Sequence, residues 1–383
     1  MLAKIKWKRY INYFLVGIAL ILTLVVTSIN PRALSFTSTM TQISYSIILA
    51  TSLNLVVGFL GELSLGHAGF MCVGAYIGGV IVNTLYATDM PKLLATIIAL
   101  LAGGFAAAVM GLLIGIPTLK LKGDYLAIVT LGFGEIVRNL FGNMLPSVFG
   151  GPSGLTVAKY GSSLCVLALI ITFIALILMQ NMLRGKHGRA IQAIRDNEIA
   201  ARSIGVNITY YKMVAFVGAA FFAGIAGVLF SQHVGILRPA KFDFNYSINI
   251  LVMVVLGGMG NMTGSILAAA ALTYIDITLA DVLSGDMAVI KNLVYALILI
   301  LIVIWNNAPA LRPYRERYNL RNLIVYVKKN ILKHSKLVPE GGHDAPETAS
   351  WDVIQTKIPM DAIISTDLTV DNSYTPDKPE KGR

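Results

Sequence analysis

The sequence predicts an all-α, polytopic membrane protein of about ten transmembrane helices, with broken helices and an inverted repeat. Three observations predict it. Of 383 residues, 56% are hydrophobic and only 13% charged, against about 25% charged in an average soluble domain. The charges are also segregated. None occurs between Arg32 and Glu62, Glu62 and Asp89, Lys92 and Lys120, Lys159 and Arg184, Lys212 and Arg238, or Asp243 and Asp276. Each gap can supply the ~20 apolar residues that cross about 30 Å of hydrocarbon. Third, two apolar runs are interrupted by glycine-rich polar stretches, Gly61 to Gly69 and Gly257 to Gly264. Broken backbone at membrane depth is tolerated where it is buried in protein or lines a wet cavity.

The spans follow in order as 11–29, 41–60, 68–87, 93–117, 125–142, 163–183, 212–232, 246–257, 264–283 and 288–306. The first follows a basic N-terminus and lacks a small-residue cleavage site before Asn30-Pro31, so it reads as a retained span. The fifth is the most polar, carrying Glu135 and Arg138 three residues apart, a spacing at which they neutralise each other. The short eighth and the ninth flank the second break. Spans two to five and seven to ten are expected to form the inverted halves, because both breaks lead into a small-residue helix.

Loop charge orients the chain. Lys4, Lys6, Lys8 and Arg9 place the N-terminus in the cytoplasm by the positive-inside rule. Lys120 and Lys122, then Arg184, Lys186, Arg189, Arg195 and Arg202, then Arg312, Arg315, Arg317 and Arg321 fall on the same side, as does the C-terminus. The net charge of +11 thus concerns orientation and contact with anionic lipid rather than nucleic acid. The membrane domain covers 1–307. The tail 308–383 begins with a juxtamembrane stretch, 308–336, holding eight Lys/Arg and one Glu. It continues as an acidic segment, 337–383, with nine Asp/Glu and four Lys/Arg and the composition of a disordered extension. Cys72 and Cys165 lie in apolar runs without a Cys-x-x-Cys pair, which marks packing residues rather than a metal site or disulfide framework.

Candidate functional residues fall in two groups. Glu62, Ser64, His67 and Gly69 at the first break, and Gly257, Gly258, Gly260 and Asn261 at the second, are candidates for a translocation path, since interrupted helices point to transport sites. The second group lies in the basic segment between spans six and seven. Ile191, Ile194, Glu198, Ala201 and Ile204 recur at three- and four-residue steps and give one largely apolar stripe, with Arg195, Asp196 and Arg202 on other faces and Gly205 suited to end the helix. The spacing predicts one amphipathic helix over 189–204. Its alanine-rich, moderately apolar face favours docking to a cytosolic protein over insertion into lipid. The chain has no Gly-x-x-x-x-Gly-Lys-Ser/Thr loop, no His-Glu-x-x-His and no Gly-x-Ser-x-Gly, so energy and catalysis must come from another chain or an ion gradient.

These residues resemble a known family. Ser52-Leu53-Asn54-Leu55-Val56-Val57-Gly58, Gly61 through Phe70, Leu121 through Phe133, Gly150-Gly151-Pro152-Ser153-Gly154-Leu155, Gly188 through Ala201 and Val255 through Ser265 occur in the order and form of LivM-type permeases of branched-chain amino acid ABC transporters. The resemblance covers roughly 40–307. It implies a bacterial or archaeal plasma-membrane importer. In it the chain would form the path with a homologous LivH-type permease, above two ABC ATPase subunits and below an extracytoplasmic substrate-binding protein. It implies no cofactor in this chain, with ATP-Mg on the partner ATPases, and no enzymatic activity here. Glu198, Ala200, Ala201 and Gly205 resemble the family's coupling motif, with a spacing one residue off the commoner importer form, and Arg189, Arg195 and Asp196 beside them are further candidates for coupling to the ATPases. Urea or short amides as cargo, an ion-coupled secondary transporter, and a membrane scaffold are the competing readings.

Overall fold

A computed structural model describes residues 34–283 apart from Lys120, Lys122 and Leu145, together with helical positions at 16–17 and between 293 and 300. All the described elements fall in one compact unit, Met1–Pro309. The expected spans 11–29 and 288–306 lie almost entirely outside the described residues, and the tail 308–383 wholly so. Among the described residues, seven helices are long and apolar enough to cross a membrane.

The first, α1 (Leu34–Asn54), continues without interruption into a π-helical turn, Leu55–Leu60. It is buried along most of its length although it is rich in Ser and Thr. Those hydroxyls are satisfied by its own backbone: Thr41 donates to Thr37 O at 2.8 Å, Ser44 to Met40 O at 2.7 Å and Thr51 to Ile47 O at 2.6 Å. A hydroxyl bonded in this way can sit inside an apolar bundle with its desolvation compensated.

Of the long helices that follow, α2 (His67–Ala87) and α3 (Lys92–Thr118) pack on α9 (Ile208–Val234), and α9 and α6 (Leu164–Arg184) pack on α1. Between α3 and α6 in sequence lie α4 (Asp124–Asn143), the short α5 (Pro146–Phe149) and strand β1 (Leu155–Thr156). The connection from α6 to α9 carries α7 (Lys186–Asp196) and α8 (Glu198–Ser203). After α9 come β2 (Ile236–Leu237), α10 (Phe244–Gly257) and α11 (Met262–Val282). The two strands pair antiparallel, Leu155 with Leu237 and Thr156 with Ile236, so among the described residues the all-helical expectation fails only at this small clasp. Tyr76 reinforces the clasp by donating its hydroxyl to Leu237 O at 3.0 Å.

Small residues decide how close the central helices come. A Cβ on Gly74 would lie 2.3 Å from Gly224 O, and one on Gly227 would lie 2.1 Å from Met71 O. Thus α2 and α9 touch through their backbones, with Gly103 of α3 closing on Gly74 O in the same way. Lipid gives no hydrophobic force between helices, so such close van der Waals contact is what holds them together. The outer face of α3 is the opposite: Leu94, Ile97, Leu101, Phe105, Leu112 and Ile116 are exposed and uniformly apolar, as a lipid-facing surface requires.

The helix α4 occupies the position of the expected fifth span. One face, with Leu126, Phe133, Val137 and Phe141, is buried while the other exposes Tyr125, Ile128 and Ile136, and the helix is not among the seven candidate spans. Phe141 stacks on Tyr76 with ring centroids 4.8 Å apart.

The two glycine-rich breaks meet beside α7 and α8.

Candidate functional site

At the first break, the π turn ends at Gly61, whose φ of 83° is left-handed, and α2 starts only at His67. Donors freed by the break need other partners in a water-poor interior. Glu62 N reaches Val56 O at 3.1 Å. Leu65 N reaches Thr130 Oγ1 on α4 at 3.0 Å, and Ala68 N reaches Ser247 Oγ on α10 at 3.2 Å. His67 is buried, with Nε2 at 2.8 Å from Ser52 Oγ on α1. Ser64 is buried and its hydroxyl has no hydrogen-bond partner. Gly66 and Gly69 admit α4: their Cβ atoms would lie 2.3 Å from Thr130 O and 2.9 Å from Gly134 Cα.

The second break is built differently. It turns through Gly258 at φ 90° and Gly260 at φ 79°, and Asn261 caps α11 by accepting from Gly264 N at 3.3 Å. Gly257 and Gly264 face each other so closely that a Cβ on Gly264 would sit 1.7 Å from Gly257 O. The two breaks are joined by Asn54, fully buried at the end of α1. Its Oδ1 accepts from Gly260 N at 2.9 Å and its Nδ2 donates to Ser265 Oγ at 2.9 Å.

The segment between α6 and α9 packs directly onto this junction. The single helix expected over 189–204 is instead two helices separated at Asn197, which is extended at φ −159° and accepts from Ala200 N through Oδ1 at 3.0 Å. An Asn favours such an N-cap over a helix interior, because its side chain offers the backbone an alternative partner. The apolar stripe is accordingly shorter than expected. Ile191, Ile194 and Ala201 are buried, but Ile204 faces outwards, as does Ile199. A tight corner leads in from α6: a Cβ on Gly188 would lie 1.9 Å from Leu183 O. Gly205, at φ 85°, ends α8 by donating to Arg202 O at 3.0 Å.

Two cations tie this segment to the breaks. Arg195 donates from Nη1 to Gly58 O at 2.8 Å and lies against both Gly61 and Gly260, so one side chain touches both breaks. Its Nε is 3.5 Å from Asp196. Lys212, in the second turn of α9, places Nζ 2.6 Å from Glu62 Oε1 and 3.3 Å from Glu198 Oε2. The second oxygen of Glu198 meets Arg202 at 3.3 Å. Arg189, Asp196 and Ala200 are exposed.

Of the sequence candidates, Glu62, Gly260, Arg195 and Glu198 are thus brought into one cluster, with His67, Ser64 and Gly69 just behind it on α2 and its lead-in. Two residues of the cluster escaped sequence reading, Asn54 and Lys212. A lysine just inside the start of an apolar run is the one signal that could have raised Lys212, since an ionisable group there needs a partner. Elsewhere, Glu135 and Arg138 form the expected pair at 2.6 Å. Asp276 lines a polar cavity between α1, α10 and α11 with Tyr45, Tyr246 and Thr273. Cys72 and Cys165 are free and buried. Among the described residues, no cluster of three or more His, Cys, Asp or Glu is placed to hold a metal ion.

Comparison with known proteins places this architecture. Residues 35–304 match the family described as the branched-chain amino acid transport system / permease component. The chain is 36% identical over 318 residues to the high-affinity branched-chain amino acid transport system permease protein LivM of Salmonella typhimurium, covering 74% of this chain and 71% of that protein. It is 27% identical over 267 residues to a probable LivM permease of Methanocaldococcus jannaschii, covering 60% and 76%. It is 24% identical over 278 residues to the permease LivH of Salmonella typhimurium, covering 67% and 88%. The match runs through both breaks and the α7–α8 segment, and the chain belongs to the family of branched-chain amino acid transport permeases, in its LivM branch.

Proposed function

We propose that this chain is one of two membrane-spanning permeases of an ATP-driven ABC importer for leucine, isoleucine and valine. It would be worked through α7 and α8 by cytosolic ATPases carrying ATP-Mg. LivM and LivH are named as separate permeases of the same kind of transport system, which supports pairing with a LivH-type chain. An extracytoplasmic binding protein would deliver the solute, and both termini would lie in the cytoplasm of a bacterial or archaeal cell.

One observation carries the reading. The α7–α8 segment lies outside the seven candidate spans, packs against the π turn, buries Ile191 and Ile194, and leaves Ile199 (82% exposed) and Ile204 (76% exposed) at the surface. Two large aliphatic side chains beside Arg202, Ile199 on α8 and Ile204 directly after it, form an anchor for a protein groove. The same element therefore has one face on the path-forming breaks and another free for the ATPases.

The mechanism follows from linkage. Solute released by the binding protein enters a path between the two permeases, lined in this chain by Glu62, Ser64, His67, Gly69, Gly257, Gly258, Gly260 and Asn261. ATP can bias inward against outward access only through contacts that differ between those states. Arg189, Arg195, Asp196, Glu198, Ala200, Ala201 and Gly205 supply those contacts. The test is uptake of labelled leucine into vesicles holding both permeases, the ATPases and the binding protein. Uptake should require ATP, and Arg195→Glu should lower it about tenfold or more with membrane insertion intact. Uphill uptake by this chain alone on a sodium or proton gradient would overturn the reading.

A further inference from the structure

We propose that Lys212 is the positioning residue that joins the ATPase-facing helix α8 to the first break, so that the two move as one body. The inference rests on the coupling reading above and adds the element through which force passes.

The observation is an alternating chain of charges, Glu62–Lys212–Glu198–Arg202, with separations of 2.6, 3.3 and 3.3 Å. Its members come from three segments: the loop after the π turn, the second turn of α9, and α8. The chain is graded in burial. The side chains of Lys212 and Glu62 are 5% and 12% exposed, that of Glu198 is 26%, and that of Arg202 is 71%. Its inner end is thus fixed among the breaks, and its outer end reaches the surface beside Ile199.

Three physical points give Lys212 its role. Its ammonium is a compact charge with three donors on a flexible stem, so one lysine can serve two carboxylates. The inner pair is both shorter and more buried than the outer pair, and a buried charge stripped of its partner is strongly destabilising. Glu62 therefore keeps Lys212 when α8 is displaced. Glu198 is held to Lys212 on one oxygen and to Arg202 on the other, so a pull on α8 reaches Glu62 through Lys212 rather than being lost in solvent. Second, Glu62 directly follows Gly61, the left-handed residue that ends the π turn, so displacement of Glu62 changes where the helix stops. Third, Arg195 reaches Gly58 O from α7. That contact bears on the turn before the break, and Lys212 bears on the loop after it. Two separate grips on either side of Gly61 convert motion of α7 and α8 into a change at the break itself.

The experiment uses the assembled transporter in vesicles, with labelled leucine uptake and ATP hydrolysis read in parallel. In the Lys212→Met transporter that assembles, ATP hydrolysis should stay near wild type while leucine moved per ATP falls about tenfold, an uncoupled phenotype that a purely structural loss would not give. Lys212→Arg, which keeps charge and donors, should retain most of the transport. The swapped double variant Glu62→Lys/Lys212→Glu should recover part of what either single change loses. If Lys212→Met does not assemble, Glu198→Gln, at the more exposed end of the chain, provides the same ratio. Wild-type leucine per ATP in Lys212→Met, or in Glu198→Gln when the first is not obtained, overturns the joint. The coupling reading is tested apart by Ile199→Asp, which should abolish co-purification with the ATPases. If co-purification persists, that reading fails, whatever the Lys212 variants show.

Discussion

The two glycine-rich breaks solve the same problem with different means. The first is held from outside: α4 supplies Thr130, α10 supplies Ser247, α1 supplies Ser52, and α9 supplies Lys212. The second closes on itself. Gly257 at the end of α10 packs directly against Gly264 at the start of α11, and its polar tie to the rest is through Asn54. The first break is therefore part of the frame, and displacing it means displacing its anchors. The second is a compact hinge of two helix ends attached to that frame at α1. The α7–α8 segment grips the frame through Lys212 and touches the hinge through Arg195.

Three substitutions sharpen or break this contrast. Gly264→Ala should have the largest effect, because its Cβ would fall 1.7 Å from a backbone oxygen that cannot rotate away. A loss of about 3 kcal/mol or more is expected, read as thermal unfolding in detergent. A near-normal melting temperature would show that the second break is not closed on itself. Asn54→Ala comes next. It leaves Gly260 N and Ser265 Oγ without Asn54 in a buried site, which should cost about 2 to 3 kcal/mol. It should also speed hydrogen exchange at the amides of 258–264, where the hinge is freed. Thr130→Val should have the smallest effect, about 1 kcal/mol, since it removes a single anchor from a break that has several. An effect equal to that of Asn54→Ala would mean that the first break, too, hangs from one attachment.

The membrane spans were legible because lipid imposes a simple demand, a long run without charge, and α1, α2, α3, α6 and α9 all satisfy it. The glycine clusters and the apolar positions Ile191 and Ile194 were legible for similar reasons of local pattern. The division at Asn197 was not. Periodicity continues through it, and only the capping bond to Ala200 N shows that the helix stops and restarts. The outward turn of Ile204 follows from that division.

The amino-acid order alone therefore determined that the chain spans a membrane repeatedly, and where glycine-rich stretches interrupt its spans. These properties depend on runs of a few to about twenty neighbouring residues, the range over which burial and backbone hydrogen bonding are satisfied locally. Tertiary structure decided what the interruptions do. Asn54 meets Gly260 across 206 positions, Arg195 meets Gly58 across 137, and Lys212 meets Glu62 across 150. A polar group in such an interior must find a partner, but any of several would satisfy it, and only packing of the helices through their glycines brings one of them within reach.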